Sequence, residues 1–292
     1  MQWWSASVVL IALIAVSVYF YPSLRRDAEL QSRVDTRQGL GQATYEGRRS
    51  GADAAVPSPC GSTATPRPYV LLALGQSNAG NHGMPTAKAR GPITMVWDGR
   101  CISAQDPLPG ATGTGESIWP RLVAALARKP DQRPVVMSIL AVDSSSIDDW
   151  TRDKSPLRGE LTRQLASLKE MNLPPDAILW QQGETDARDA TTAEEYAAKL
   201  DLLAGVLTRA GIDAPVFLAR STVCRTSPSL PIRDAIERKI AQGGRWKSGP
   251  DTDRLNGPVL RRDGCHFSAA GLDAAAGLWA AALACEKCIV RN

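Results

Sequence analysis

The sequence predicts an α/β fold built on a parallel sheet, and two observations carry that expectation. From Arg67 onward, short apolar runs of strand length alternate with longer segments whose leucines recur at steps of three and four. Polar clusters then fall directly after two of the apolar runs, where the strands of a parallel sheet end and where ligands bind in open α/β folds. The 292 residues, 43% of them apolar, suffice for one large domain with a sizeable core. Thirty-four basic residues against 30 acidic ones leave a net charge of +4 spread along the chain, so no nucleic-acid partner is expected.

The 19 residues from Trp3 to Tyr21 carry no charge, close to the roughly 20 that span a bilayer as a helix. No basic residue precedes the run and no clear small-residue cleavage site follows it, which favours an uncleaved anchor over residues 1–22. Aromatic residues flank the run at both ends, Trp3 and Trp4 before and Tyr19, Phe20 and Tyr21 after. Arg25 and Arg26 would hold the following body in the cytoplasm, whereas an even set of six cysteines suits an oxidising compartment. The expectation, led by the cysteines, is an extracytoplasmic domain tethered to the membrane. Cys285 and Cys288 form a CxxC with no second pair or histidine pair near it in sequence, so zinc is not expected there. Residues 23–66 are polar, rich in Arg, Gly, Ala, Ser and Pro, and read as a flexible stalk.

The first strand, about 68–75, is the apolar run beginning at Tyr69, and it runs into Gly75-Gln76-Ser77-Asn78. Further strands are expected at Ile93–Trp97, Pro134–Ala141, Ala177–Trp180 and Pro215–Ala219, each a short apolar run. Helices are expected between them. Ile118–Ala127 places Leu122, Ala125 and Leu126 on one face, and Leu157–Met171 carries the stripe Leu157, Leu161, Leu165 and Leu168. Thr192–Ala210 carries Tyr196, Leu200, Leu203 and Leu207, with Thr191 or Thr192 as N-cap and Glu194 and Glu195 suited to the N-terminal dipole. A last, alanine-rich helix is expected over 268–285. These stripes are core.

Three polar clusters stand out. The first is Gly75-Gln76-Ser77-Asn78, and the second is Trp180-Gln181-Gln182-Gly183-Glu184-Thr185-Asp186, after the fourth strand. The third is Asp263-Gly264-Cys265-His266, ahead of the last helix. Ser77 taken alone reads more readily as a helix cap. An aspartate three residues before a histidine, across a glycine, can fold back to accept the imidazole Nδ1–H and leave Nε2 free as a base. With Ser77 as nucleophile the three form a candidate triad. Only one other histidine exists, His82. It reads as a helix-start residue or a contact at the cleft rim, since no aspartate lies near it in sequence. Trp97, Trp119, Trp150, Trp180 and Trp246 fall near loops and strand ends, where they either pack or stack on sugars.

The strings LLALGQSNAGNHG, SSIDDW, LWQQGETD, DTDRL and DGCHFSAAG resemble the SGNH hydrolase superfamily, and within it the sialate O-acetylesterase-like carbohydrate acetylesterases. The resemblance runs from about Arg67 to about Cys285. It implies a three-layer α/β/α sandwich on a five-stranded parallel sheet, with the domain occupying residues 67–292. It further implies a serine esterase that removes O-acetyl groups from a carbohydrate without metal or cofactor. In these terms Ser77 is the nucleophile, His266 the general base and Asp263 its orienter. The oxyanion hole is expected from the Ser77 N–H, from Ser144 and from the Gln182 amide, such a donor being worth about 3–4 kcal/mol. Gln76, Asn78, Glu184 and Asp186 are expected to support the site or touch substrate. One departure is visible. Where the family has a Gly-Gly-Thr-Ser-Ile string, this chain reads Asp143-Ser144-Ser145-Ser146-Ile147, which puts a side chain where a glycine N–H serves the oxyanion.

Rival readings keep parts of this picture. An O-acetyltransferase acting on a surface polysaccharide would share the acetyl-enzyme and differ in its acceptor. A non-catalytic glycan-binding module would keep the cleft, against which the intact Ser77, Asp263 and His266 speak. An α/β-hydrolase elbow wants glycine at position 79, where Ala79 stands.

Overall fold

The computed structural model describes residues 55–61, 67–86, 90–127 and 133–284. The expected anchor at 1–22, most of the expected stalk, and the Cys285/Cys288 pair lie outside the described residues. Among the described residues, no helix is long and apolar enough to cross a membrane.

Eight strands form one sheet: β1 (Val56–Pro57), β2 (Tyr69–Gly75), β3 (Ile93–Trp97), β4 (Arg100–Ala104), β5 (Val135–Ala141), β6 (Ala177–Gln181), β7 (Val216–Arg220) and β8 (Trp246–Asp251). Their spatial order is β1-β4-β3-β5-β2-β6-β7-β8. From β3 to β8 neighbouring strands are parallel. β4 returns antiparallel to β3, and β1 pairs antiparallel with β4. The expected five-stranded parallel sheet is therefore corrected to a mixed sheet of eight. All five predicted strands are in it, and three unpredicted ones widen it.

The reasons are local. Asp98 and Gly99, at φ 48° and 69°, make a two-residue turn that brings Arg100 opposite Trp97. β8 reads WKSGPD and has no apolar run, because it lies at the sheet's margin with Lys247 and Ser248 only half-buried. β1 falls inside the stretch read as stalk. There Ser58 N–H donates to the Cys101 carbonyl at 3.0 Å, and a Cys60–Cys101 disulfide fastens the segment to β4.

Alternation along β2 feeds two cores. Val70, Leu72 and Leu74 face helices α3 (Pro156–Glu170), α5 (Ala193–Arg209) and α6 (Leu230–Gln242). Leu71 and Ala73 face α1 (Trp119–Leu126) and α7 (Ala269–Leu283). Helices on both sides of the sheet make the three layers. The leucine stripe of α3 is buried throughout, each residue contributing about 1.5–3 kcal/mol. Two short helices, α2 (Ile147–Thr151) and α4 (Glu184–Arg188), follow β5 and β6 directly. With β3–β5 on one side of β2 and β6–β8 on the other, strand order reverses at β2. Its carboxyl end thus opens the crevice where α/β sheets bind ligands.

Candidate active site

Ser77 stands at that carboxyl end. A Cβ at Gly75 (φ 154°) would collide with the Gln181 carbonyl of β6, so only glycine lets β2 turn out of the sheet there. Gln76 is extended, and Ser77–Ala79 form a single 3₁₀ turn with Ser77 2% exposed. The Ser77 side chain does not cap this turn. As the first residue of the turn, Ser77 also leaves its own N–H without an acceptor inside it. Both flanking side chains bond outward. Gln76 Oε1 accepts the Thr185 N–H at 3.1 Å, and Asn78 Nδ2 donates to Glu184 Oε1 at 2.7 Å and to the Cys265 carbonyl at 3.2 Å. The last bond ties the residue after Ser77 to the residue before His266.

His266 and Asp263 form the predicted pair. His266 Nδ1 lies 2.8 Å from Asp263 Oδ2, while Asp263 Oδ1 accepts the N–H groups of His266 at 2.7 Å and Cys265 at 2.9 Å. Burial pushes the Asp263 carboxyl up, but the bonds from the His266 ring and from both backbone donors outweigh it and hold it well below the usual carboxylate range. The loop carrying this pair is fixed from several sides. A Cys224–Cys265 disulfide joins it to the segment after β7, where Arg225 N–H donates to the Gly264 carbonyl at 2.8 Å. The buried Arg261 guanidinium donates to the carbonyls of Leu255, Thr252 and Cys265 and lies over the Phe267 ring. No direct hydrogen bond joins Ser77 to His266; the Asn78–Cys265 bond holds their loops side by side. Such catalytic bonds commonly tighten only with substrate bound.

Ser144 adopts φ 58°, the left-handed region glycine occupies without strain, and no backbone acceptor takes its N–H among the described residues. Its neighbours are held firmly. Ser145 Oγ donates to the Val142 carbonyl at 2.8 Å and receives the Trp150 indole N–H at 3.1 Å, and Ser146 and Asp149 form a capping box at the start of α2. Gln182, wholly buried, directs its Nε2 to the Ser145 carbonyl at 3.0 Å, to Asp186 Oδ2 and, at 3.3 Å, to Gln76 Oε1. An amide has two N–H bonds, and these acceptors occupy both. In this arrangement Gln182 is therefore not the free oxyanion donor read from the sequence, and it acts as a strut on the Ser144–Ser145 segment.

Glu184 and Asp186 lie beneath the site. Burial raises the Glu184 carboxyl to about 7, against the opposing hydrogen bonds from Asn78 and Ser221, and its Oε2 has no partner. Burial likewise raises Asp186 to about 6, opposed by Gln182, the Ile147 N–H and Thr191. The tryptophans offered as sugar platforms are mostly core: Trp119, Trp150 and Trp180 are fully buried and Trp246 is 5% exposed. Their indoles brace the site instead, Trp119 donating to the Ala79 carbonyl at 2.7 Å and Trp180 to Tyr196 Oη at 3.1 Å. Only Trp97 of the five is half-buried.

His82 does have an aspartate near it, one that sequence order conceals. Its ring stacks on His266 with centroids 5.3 Å apart, and its Nε2 lies 3.1 Å from Thr112 Oγ1, which also accepts the Asp143 N–H at 2.8 Å. Burial pushes the His82 imidazole pKa down, with Asp143 opposing and His266 and Arg262 adding to the depression. Thr112 was not legible beforehand, because its segment has no strand or helix pattern.

Solved structures share this fold. They include a protein from Arabidopsis thaliana (19% identity over 74% of this chain and 97% of that one, TM-score 0.60). A carbohydrate acetylesterase from Xanthomonas citri follows (15%, 73% and 55%, TM-score 0.50), as does NanS (16%, 74% and 94%, TM-score 0.50). No curated protein matches the chain in sequence. The family model described as carbohydrate esterase, sialic acid-specific acetylesterase, matches residues 68–218, just over half of the chain. The polar strand ends around Ser77 and Gln182 thus sit within a matched family as well as a matched fold, and the chain belongs to this carbohydrate esterase family, an SGNH-type group of carboxylic ester hydrolases.

Proposed function

We propose that the protein is a serine esterase that removes O-acetyl groups from a carbohydrate through an acetyl-Ser77 intermediate. The observation that carries this reading is the Asp263–His266 pair, 2.8 Å apart and tied through Cys265 and Asn78 to the Ser77 turn. Asp263 holds Nδ1 protonated, so Nε2 takes the Ser77 hydroxyl proton as Oγ attacks the acetyl carbonyl. The tetrahedral oxyanion is received by the N–H groups of Ser77 and Ser144, and Gln182 orients the segment that carries the second. Collapse breaks the bond to the sugar oxygen, which leaves with the proton from His266. Water then attacks the acetyl-enzyme, His266 takes its proton, and acetate departs as Ser77 is reprotonated.

The test is hydrolysis of an activated acetyl ester by the full chain, beside Ser77→Ala and His266→Ala. Loss of about 10³-fold or more in kcat in both variants, with weak turnover of propionyl and butyryl esters, is the expected result. Variants with undiminished turnover would overturn the assignment. A glycan acceptor added to the same assay separates hydrolysis from transfer by the product formed.

We also place the domain outside the cytoplasm, held by a membrane anchor at 1–22. The two disulfides and the uncharged run from Trp3 to Tyr21 support this placement.

A further inference from the structure

His82, Asp143 and His266 offer one ligand atom each, and these three atoms lie within 4.8 Å of one another. We propose that they form a binding site for a divalent transition metal of the zinc class, and that metal bound there silences the esterase.

An ion centred among three atoms so placed sits no more than about 2.8 Å from each, and zinc bonds to imidazole and carboxylate at about 2.0–2.2 Å. Contraction by a fraction of an ångström per side chain completes the site. All three residues are half-buried, so an ion reaches them from solvent. Two imidazoles and one carboxylate suit zinc better than calcium or magnesium, which prefer all-oxygen shells, and three protein ligands leave a fourth position for water.

The surroundings supply the outer shell that such sites need. His266 Nδ1 is taken by Asp263 at 2.8 Å, which fixes the ring and leaves Nε2 as the nitrogen it can offer. Thr112 Oγ1 touches both His82 Nε2 (3.1 Å) and the Asp143 N–H (2.8 Å), holding two of the three ligands from one point. Arg262, which donates to the His82 carbonyl at 3.1 Å, is the opposing charge nearby, and Asp263 offsets it.

The lone pair of His266 Nε2 cannot both coordinate a metal and accept the Ser77 proton. Inhibition, though not the metal site itself, rests on the reading of His266 as the base. Binding and turnover are therefore measured separately. Untagged full chain, treated with chelator, is titrated calorimetrically with zinc chloride, beside His82→Ala and Asp143→Asn. Melting of each zinc-free variant verifies that it is folded, and either variant suffices if the other is not. The expected result is one tight zinc per wild-type chain and more than about tenfold weaker binding in the variants. Acetyl ester hydrolysis should fall with a midpoint that follows the binding midpoint, recover with chelator, and resist zinc in His82→Ala. Absence of zinc uptake, or uptake equal in wild type and both variants, would overturn the site. Zinc bound through His82 and Asp143 with turnover unchanged would overturn His266 as a ligand and the inhibition with it, while the role of His266 as base is decided separately by His266→Ala.

Discussion

At the scale of single residues, Glu184 carries the most direct consequence. Its carboxyl is wholly buried and raised to about 7 from an ordinary 4.5, so the folded chain holds a proton that the unfolded chain has released between those values. Stability therefore falls as pH rises from about 4.5 to 7, by on the order of 3 kcal/mol for this group alone. Asp186, raised to about 6, slopes the same way over a lower window, while the depressed Asp263 gives stability that is lost as pH falls below its ordinary 3.8. Glu184→Gln should flatten the slope between pH 4.5 and 7 in denaturant titrations, and an unchanged slope would show that Glu184 is ionised throughout. The presence of Glu184 and Asp186 at a strand end was legible in the sequence. Their state was not, because it is set by burial in the fold, opposed by hydrogen bonds from Asn78, Ser221 and Ile147 in three distant segments.

At the scale of elements, the turn between β5 and α2 is the informative one. It must pass through φ 58° at Ser144 to bring the chain back to the site, and it pairs that strain with a capping box immediately after. Ser144→Gly should keep or slightly raise stability in thermal unfolding, whereas a β-branched valine should cost about 1–2 kcal/mol. Equal melting of the two variants would show that the Ser144 backbone stores no strain. The long helices were legible almost to the residue, because α3 and α5 bury clean leucine stripes and Thr192 caps α5 through a capping box with Glu195. α6 was not, since its buried face is Ile232, Ala235, Ile236 and Lys239, only two of them large and apolar. β4 had a signal that went unused, the Asp98-Gly99 pair between two short β-prone runs. β8 had none. The pairing of Asp263 with His266 was legible because they stand three residues apart across Gly264, and Ser77 stood out because it closely follows the apolar run of β2. The partnership of His82 with Asp143 was hidden, since only the fold places them together.

At the scale of the whole molecule, two disulfides of equal span among the described residues tie outlying segments to the body. Each joins cysteines 41 residues apart, a loop whose closure is worth about 4 kcal/mol by the chain-entropy argument. The Cys224–Cys265 bridge also carries the residue next to His266. Replacing both of its cysteines with serine should lower the unfolding free energy by about that amount and reduce kcat more than it changes KM. Loss of stability with kcat intact would mean that Arg261 and Asn78 suffice to hold the His266 loop. The Asn78–Cys265 bond, for its part, closes over 187 residues of chain. At ribosomal rates of about 5–20 residues per second, about 10–40 s separate the synthesis of Ser77 from that of His266, the nucleophile and base proposed above. Strands β3 to β8, the last of them ending at Asp251, are synthesised in that interval. On the reading proposed above, ester cleavage is deferred until His266 has left the ribosome, so a product terminated before it would carry the serine and be inert.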